Sequence, residues 1–266
     1  MYNFDLSDDN VYYSIHGKCI ANLPIDFYGK NIRQISVLDY FDKGEEWFGK
    51  LLNPFIYNRD IFGNISKSIG LLELMYLNNK EDFMDSIKFS CSYLFGVDEL
   101  YIRDRVIEDD NGFQVFIIIG GENCKPEDLL IINNKRFMEL KNLVLILSGE
   151  LSEIHRRDLE KEQEAQIKDE KFRERFARYQ KNKQQYLEKS KKPKTNRKFN
   201  IFRTVVYMQE NIDFEKVLKM NIYQLMDVYT NIHIREGYRT RMKIATSGFC
   251  SSKDIDTKPL CEKIVK

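Results

Sequence analysis

Apolar residues recur at helical spacing in several blocks of the first 150 residues. The first block predicts a helix that begins at Ser36, because a serine followed three positions later by Asp39 is typical of a capped helix start. Pro54 is expected to end this helix, since proline lacks the backbone N–H that a helix interior needs. The same periodicity predicts further helices near 68–79, 82–95 and 134–149, the last ending at Gly149.

Strand patterns lie before and between these helices. Residues 1–33 are predicted to be extended, with β-prone runs at 12–15 and 19–23. A hairpin is predicted from strands at 100–107 and 113–119, because the Asn111-Gly112 pair between them tolerates the positive φ angles of a tight turn. The second strand is apolar on both faces, so we expect it to be central in its sheet or covered.

The composition changes sharply at Ser152. Residues 152–198 contain 16 Lys or Arg and 9 Asp or Glu, a net charge of +7, whereas the whole chain has a net charge of only +1. A long charged helix is predicted from Ser152 to near Lys189, followed by a flexible linker at 191–196.

Residues 199–266 predict a small helical unit with a polar tail. Phe199–Met208 is apolar enough for a helix, and Asp213 is placed to cap a short one. Asn221 and Gln224 form another capping-box-like start, and a last helix is predicted at about 236–247. The helix that follows Asn221 carries an apolar stripe at helical spacing, formed by Ile222, Leu225, Met226 and Tyr229.

These patterns predict a mainly helical α+β protein. Its divisions are an α+β domain at 1–150 with a β-hairpin, a charged helix and lysine-rich linker at 151–198, and the small helical unit at 199–266. The chain of 266 residues is 42% hydrophobic, with only 5 Pro and 13 Gly, which is typical of a globular protein. The five cysteines are scattered and no signal peptide or long apolar run is present, so we expect a cytoplasmic protein that does not insert into a membrane.

No residue pattern predicts catalysis. His16 and Cys19 are the only local His/Cys pair, too few for a zinc site, and the chain contains neither a nucleophile elbow nor a phosphate-binding glycine motif. Glu122 and Lys125 approximate a nuclease motif, but their spacing directs them to different sides of an extended chain. We therefore expect a protein that is not an enzyme and that uses neither a metal nor a cofactor.

The basic end of the charged segment is the strongest interaction signal. Between residues 178 and 198 a single acid, Glu188, stands among nine basic residues, with Tyr179 and Tyr186 interspersed. Such a run suits contact with nucleic-acid phosphates, but a solvated helix end and linker is the commoner role of lysine-rich runs. The candidate phosphate contacts are Arg178, Lys181, Lys183, Lys189, Lys191, Lys192, Lys194, Arg197 and Lys198.

The C-terminal pattern resembles a known family. Val217-Leu218-Lys219-Met220-Asn221-Ile222-Tyr223-Gln224 is followed by Glu236-Gly237-Tyr238 and by a tail with Asp254-Ile255-Asp256 and Lys263. This order is similar to the C-terminal region of tail-assembly proteins of tailed phages of Gram-positive hosts, encoded beside the tape measure protein. Leu260-Cys261 stands where that family typically has an aromatic residue, so the tail departs from the pattern.

The resemblance implies an assembly chaperone that shields apolar helices of a tape measure protein, or binds another tail protein. The apolar stripe after Asn221 is the candidate partner-binding surface, with the core of the helical unit as the alternative role for the same residues. The second hypothesis is a nucleic-acid-binding accessory protein that acts through residues 178–198.

Overall fold

The computed structural model describes residues 9–62, 69–109, 112–121, 125–150, 197–209 and 212–246. The fold is α+β and mainly helical, with small antiparallel sheets, as the sequence predicts. The helices are α1 (Asp9–Ile20), α2 (Val37–Ile56), α3 (Leu71–Asn78), α4 (Lys80–Phe95), α5 (Asn134–Leu147), α6 (Arg197–Met208), α7 (Phe214–Leu218) and α8 (Ile222–Thr246). The strands are β1 (Ile25–Phe27), β2 (Lys30–Ile32), β3 (Ile102–Asp109), β4 (Gly112–Ile119) and β5 (Leu130–Ile132).

Local capping fixes the start of α2. The hydroxyl oxygen of Ser36 accepts a hydrogen bond from the backbone N–H of Asp39 at 2.9 Å, which confirms the predicted helix start. The helix runs two residues past Pro54, to Ile56, so the expected end at Pro54 is wrong. A proline near the C-terminal end removes only one of the helix's own hydrogen bonds, and burial of Pro54 and Phe55 compensates.

The prediction that residues 1–33 are extended is wrong for α1. Ile15 and Cys19 are buried on the same face of this helix, one turn apart, and the helix contacts α8. Packing of that face outweighs the β propensity of the surrounding aromatic and branched residues. The true hairpin of this region is β1–β2, with a two-residue turn at Tyr28 and Gly29, which both have positive φ.

The second hairpin agrees with its prediction. β3 and β4 pair antiparallel from Ile102 opposite Ile119 to Asp109 opposite Gly112. β4 also pairs with β5, so β4 is the central strand of a three-stranded sheet, in the order β3-β4-β5. The sheet packs one face against the core, in contact with α3, α4 and α5.

Helices α6 to α8 share the core of the preceding residues. Ile201, Val205, Val217 and Ile232 are buried in the same apolar cluster as residues of α2 and α5. An isolated β-bridge between Ser36 and Asn221 joins the start of α2 to the start of α8. The structure therefore integrates residues 197–209 and 212–246 with the residues before the charged segment.

α8 is one helix of 25 residues, so the separate last helix predicted at about 236–247 is wrong. The helix continues through the expected break because Gly237 is exposed and accepts helical geometry there. A glycine inside an exposed helix costs only about 1 kcal/mol relative to alanine, too little to end a helix that is held by packing.

Two residues that flank the charged segment, Glu150 and Lys198, lie next to each other. The ammonium nitrogen of Lys198 lies 2.9 Å from a carboxylate oxygen of Glu150 and donates to the carbonyl oxygen of Ser148 at 3.1 Å. The predicted charged helix from Ser152 to Lys189 and the linker at 191–196 lie outside the described residues. The Lys198–Glu150 ion pair nevertheless shows that the two points flanking residues 151–196 are adjacent.

We expect residues 151–196 to be dispensable for folding. Replacing them with an eight-residue Gly/Ser linker should leave the free energy of unfolding unchanged or raise it by up to about 1.5 kcal/mol, because a shorter loop costs less entropy to close. Urea unfolding of the full-length and shortened proteins checks this. Loss of cooperative unfolding in the shortened protein would contradict it.

Candidate partner-binding site

Four phenylalanines form a continuous cluster between α2, α6 and α7. The ring centroids of Phe41 and Phe202 are 4.7 Å apart, and those of Phe202 and Phe214 are 5.6 Å apart. Phe199 completes the cluster, 6.1 Å from Phe41 and 6.5 Å from Phe202. These spacings are those of favourable aromatic pairs, so the rings support each other's positions.

Two elements bring the cluster to the surface. In α6, Ile201 and Val205 are buried in the core while Phe202, at their edge, is only 6% exposed. In α7, the carboxylate of Asp213 accepts a hydrogen bond from the backbone N–H of Lys216 at 2.8 Å, which confirms the predicted cap. That cap fixes the first residue of α7, Phe214, over the ring of Phe202.

Part of this cluster and its neighbour Tyr207 are exposed. Phe199 is 42% exposed, Phe214 51% and Tyr207 71%. Arg203 lies one turn from both Phe199 and Tyr207, with its guanidinium carbon 6.0 Å and 5.8 Å from the two ring centroids. We call Phe199, Arg203, Tyr207 and Phe214 the aromatic face. Exposed aromatic residues and arginine are the types enriched where proteins bind one another.

A hydrogen-bonded carboxylate holds the start of α2, on which Phe41 lies. Asp39 accepts from the hydroxyls of Ser36 and Tyr93, each at 2.8 Å, and pairs with Lys43 at 3.0 Å. Burial disfavours the ionised form, but hydrogen bonds from Tyr93, Lys43 and Ser36 outweigh it and hold the pKa of Asp39 below its usual value. The carboxylate is therefore ionised at neutral pH and acts in structure.

The apolar stripe predicted as a partner surface lies mostly in the interior. Ile222 is fully buried and Leu225 is 1% exposed. Met226 and Tyr229 are half-buried and pack against the same core. Tyr229 also contacts the ring of His233, with centroids 4.3 Å apart. The first two residues are thus not accessible to a partner in this structure.

The candidate phosphate contacts fall largely outside the described residues. This holds for residues within 151–196, which are Arg178, Lys181, Lys183, Lys189, Lys191, Lys192 and Lys194. Arg197 is the first residue of α6. The side chain of Lys198 is only 12% exposed, and its ammonium nitrogen lies 4.7 Å from the ring centroid of Phe48. This lysine therefore packs against core residues.

Two of the described cysteines are buried thiols. Burial raises the pKa of Cys19 to about 11 and that of Cys91 to about 12, so both thiols are protonated at neutral pH. No group of three His, Cys, Asp or Glu side chains that is able to hold a metal occurs among the described residues. Glu122 of the nuclease-like pair lies outside them, and Lys125 is exposed.

Sequence reasoning missed the aromatic face. The spacing of Phe199 and Phe202 indicates a helix, and Asp213 indicates the cap before Phe214. Neither signal shows that the ring of Phe202 contacts those of Phe199 and Phe214. Phe41 lies far away in the sequence, so a single sequence carries no sign of this contact.

Residues 191–264 match the family model of the YomV second domain. This family is phage-associated. The match covers about a quarter of the chain and includes α6, α7 and α8, hence all four residues of the aromatic face. No curated protein and no solved structure matches the chain. Within the described ranges, no helix is long and apolar enough to cross a membrane.

Proposed function

We propose that this protein is a non-enzymatic phage assembly protein, a tail assembly chaperone that shields an apolar helix of a tape measure protein. Two observations support the proposal: the match of residues 191–264 to a phage-associated family, and the resemblance of residues 217–264 to phage tail-assembly proteins.

The aromatic face carries this proposal. Phe199 and Tyr207 lie eight residues apart on α6, which is about 12 Å along a helix axis. Apolar residues separated by seven or eight positions on a client helix have almost the same spacing, so one client helix can contact both rings along α6. Phe214 widens the apolar contact at one side, and Arg203 offers a charged hydrogen-bond donor between the rings.

The direct test is co-purification of the full-length protein with the tape measure protein of the same phage. We expect a Tyr207→Ser/Phe214→Ser variant to lose at least about tenfold in affinity, because truncated aromatic anchors typically cost 1–2 kcal/mol or more. Both side chains are more than half exposed, so the variant should fold.

An Ile61→Ser/Leu100→Ser variant is the matched control. These side chains are 65% and 76% exposed and belong to elements other than α6 and α7, so their loss should leave tape measure binding unchanged. Equal binding by wild type and both variants would reject the aromatic face as the client site. Failure of the wild type to bind the tape measure protein would reject the proposed function.

The nucleic-acid hypothesis is separated by the salt dependence of binding. If six or more lysines of residues 178–198 contact phosphates, affinity for an oligonucleotide should fall roughly 10³–10⁵-fold between 50 and 200 mM salt. Such binding, together with no binding of tape measure protein, would favour that alternative. Client binding through an aromatic face should be far less sensitive to salt.

A further inference from the structure

The three-stranded sheet has one buried and one exposed face. Buried side chains alternate along the strands, as in Val115, Ile117 and Ile119 of β4. The residues between them, Phe116 and Ile118, point to the opposite face and are only half-buried. The helices in contact with the sheet lie on the side of the buried residues, which belong to the same core as α3, α4 and α5.

The exposed face is unusually apolar for a sheet that meets solvent. Ile118 pairs with Ile131 of β5, which is 43% exposed, and Phe116 lies two residues away on the same face. The open face of a two-layer antiparallel sheet normally carries polar residues. Apolar side chains placed next to one another there indicate a surface that a partner covers.

Two arginines border these apolar residues. The register places Arg103 opposite Ile118 and Arg105 opposite Phe116. Both arginines are exposed, and neither forms an ion pair with another described residue. We call Arg103, Arg105, Phe116, Ile118 and Ile131 the outer sheet face.

The charge of these residues is opposite in sign to the net charge of residues 1–151. Residues 1–151 contain 15 Lys or Arg and 24 Asp or Glu, a net charge of −9. The face consists of two cross-strand rows. One row is Arg103, Ile118 and Ile131, and the other is Arg105 and Phe116. Together these rows contain two positive charges and no carboxylate. A positive, apolar surface is complementary to a partner that is apolar with a negative flank.

We propose that the outer sheet face binds an amphipathic helix of a partner protein, with carboxylates on the flank of that helix facing Arg103 and Arg105. The eight residues of β4 span about 27 Å, the length of about 18 helical residues, so a helix of ordinary length covers the face. Such a helix adds a third layer to the two-layer packing of sheet and helices. This inference does not depend on the aromatic face.

The test uses the full-length protein and two fluorescent peptides of 18 residues. The peptides share one stripe of leucines at positions i, i+3, i+4 and i+7 and differ only in flanking Glu or Lys residues. Fluorescence anisotropy at physiological salt should show at least about tenfold tighter binding of the Glu peptide. Equal affinities, or no binding of the Glu peptide, would overturn the proposal.

Charge reversal makes the test specific to the face. Arg103→Glu/Arg105→Glu should invert the preference, so that the Lys peptide binds more tightly than the Glu peptide. Lys50→Glu/Lys88→Glu changes the net charge by the same amount on α2 and α4, and it should leave the preference unchanged. An unchanged preference in the arginine variant would overturn the proposal.

Ile118→Thr/Ile131→Thr tests the apolar part of the face. Threonine keeps the β-branched shape that strands favour, so this variant should fold and should lose affinity for both peptides about tenfold. Two other outcomes would overturn the proposal. One is a dimer that this variant dissociates, which would make a second copy the occupant. The other is displacement of the Glu peptide by a single-stranded oligonucleotide.

Discussion

Leu225→Ala should destabilise the whole protein by about 2–5 kcal/mol, the usual cost of truncating a leucine in a packed core. Leu225 is 1% exposed on α8, and α8 packs against α1, α5 and α6. Its loss therefore leaves a cavity between parts of the chain that are far apart in sequence. Urea unfolding followed by far-ultraviolet circular dichroism and by Trp47 fluorescence measures the effect.

The two signals also test whether the core is shared. Trp47 is the only tryptophan and lies in α2, so its fluorescence reports on residues before the charged segment. We expect both signals to shift together, as in a single cooperative unit. If Trp47 fluorescence were unaffected while circular dichroism changed, α8 would unfold separately.

Leu77→Ala is the matched control for Leu225→Ala. Leu77 is also a helical leucine, but it is 57% exposed on α3, so its truncation should change stability by no more than about 0.5 kcal/mol. Unchanged stability of Leu225→Ala, together with reduced client binding, would show that the stripe serves a partner and not the core.

Helix starts could be predicted from the sequence because the two residues that form each capping hydrogen bond are only three positions apart. Ser36, Asp213 and Asn221 each accept a hydrogen bond from the backbone N–H three residues later, as the capping patterns indicate. The β3–β4 hairpin was predictable for the same reason, since its two strands follow one another closely in the chain and pair with each other from Asp109 opposite Gly112.

The helix α1 could not be predicted in this way. Its local sequence, with Tyr12, Tyr13 and Ile15, favours a strand. Its helical form depends on contacts with α8, including the hydrogen bond between the side chains of His16 and Tyr223. Those partners follow some 200 positions later in the chain, and no local pattern reveals them.

The same limit applied to the candidate site. The apolar stripe that includes Ile222 and Leu225 predicts that one face of the helix is buried, but it does not predict which residues cover that face. In the structure, Ile222 and Leu225 are buried in the core of the same chain. The exposed residues Tyr207 and Phe214 lie outside the helix that carries the stripe, so its periodicity gives no sign of them. Only the packing of α6 on α8 shows which side of α6 remains open.

Asn221→Ala should destabilise the protein by about 2–4 kcal/mol, the sum of a lost helix cap and of the lost hydrogen bonds that the buried amide nitrogen donates to Cys19 and Asn22. Asn221 is 1% exposed at the start of α8. Its backbone N–H donates to the side-chain oxygen of Gln224 at 2.9 Å, and its side-chain oxygen accepts from the backbone N–H of Gln224 at 2.7 Å. This reciprocal pair confirms the predicted capping box. Its amide nitrogen donates to the carbonyl oxygen of Cys19 at 2.8 Å, so one residue both caps α8 and fastens α1 to it.

Two further variants separate these roles in the same urea experiment. Asp213→Ala removes an exposed cap without a long-range contact, and it should cost only about 1 kcal/mol. Asn221→Asp keeps the oxygen that caps α8 but replaces the donor to Cys19 with a carboxylate oxygen, which repels that carbonyl. Since the buried site disfavours the charged form, the pKa of this carboxyl should rise on folding, and the loss of stability should shrink as the pH falls and the carboxyl gains a proton. Wild-type stability of Asn221→Asp at neutral pH would show that the bond to Cys19 contributes nothing and that capping alone explains the cost of Asn221→Ala.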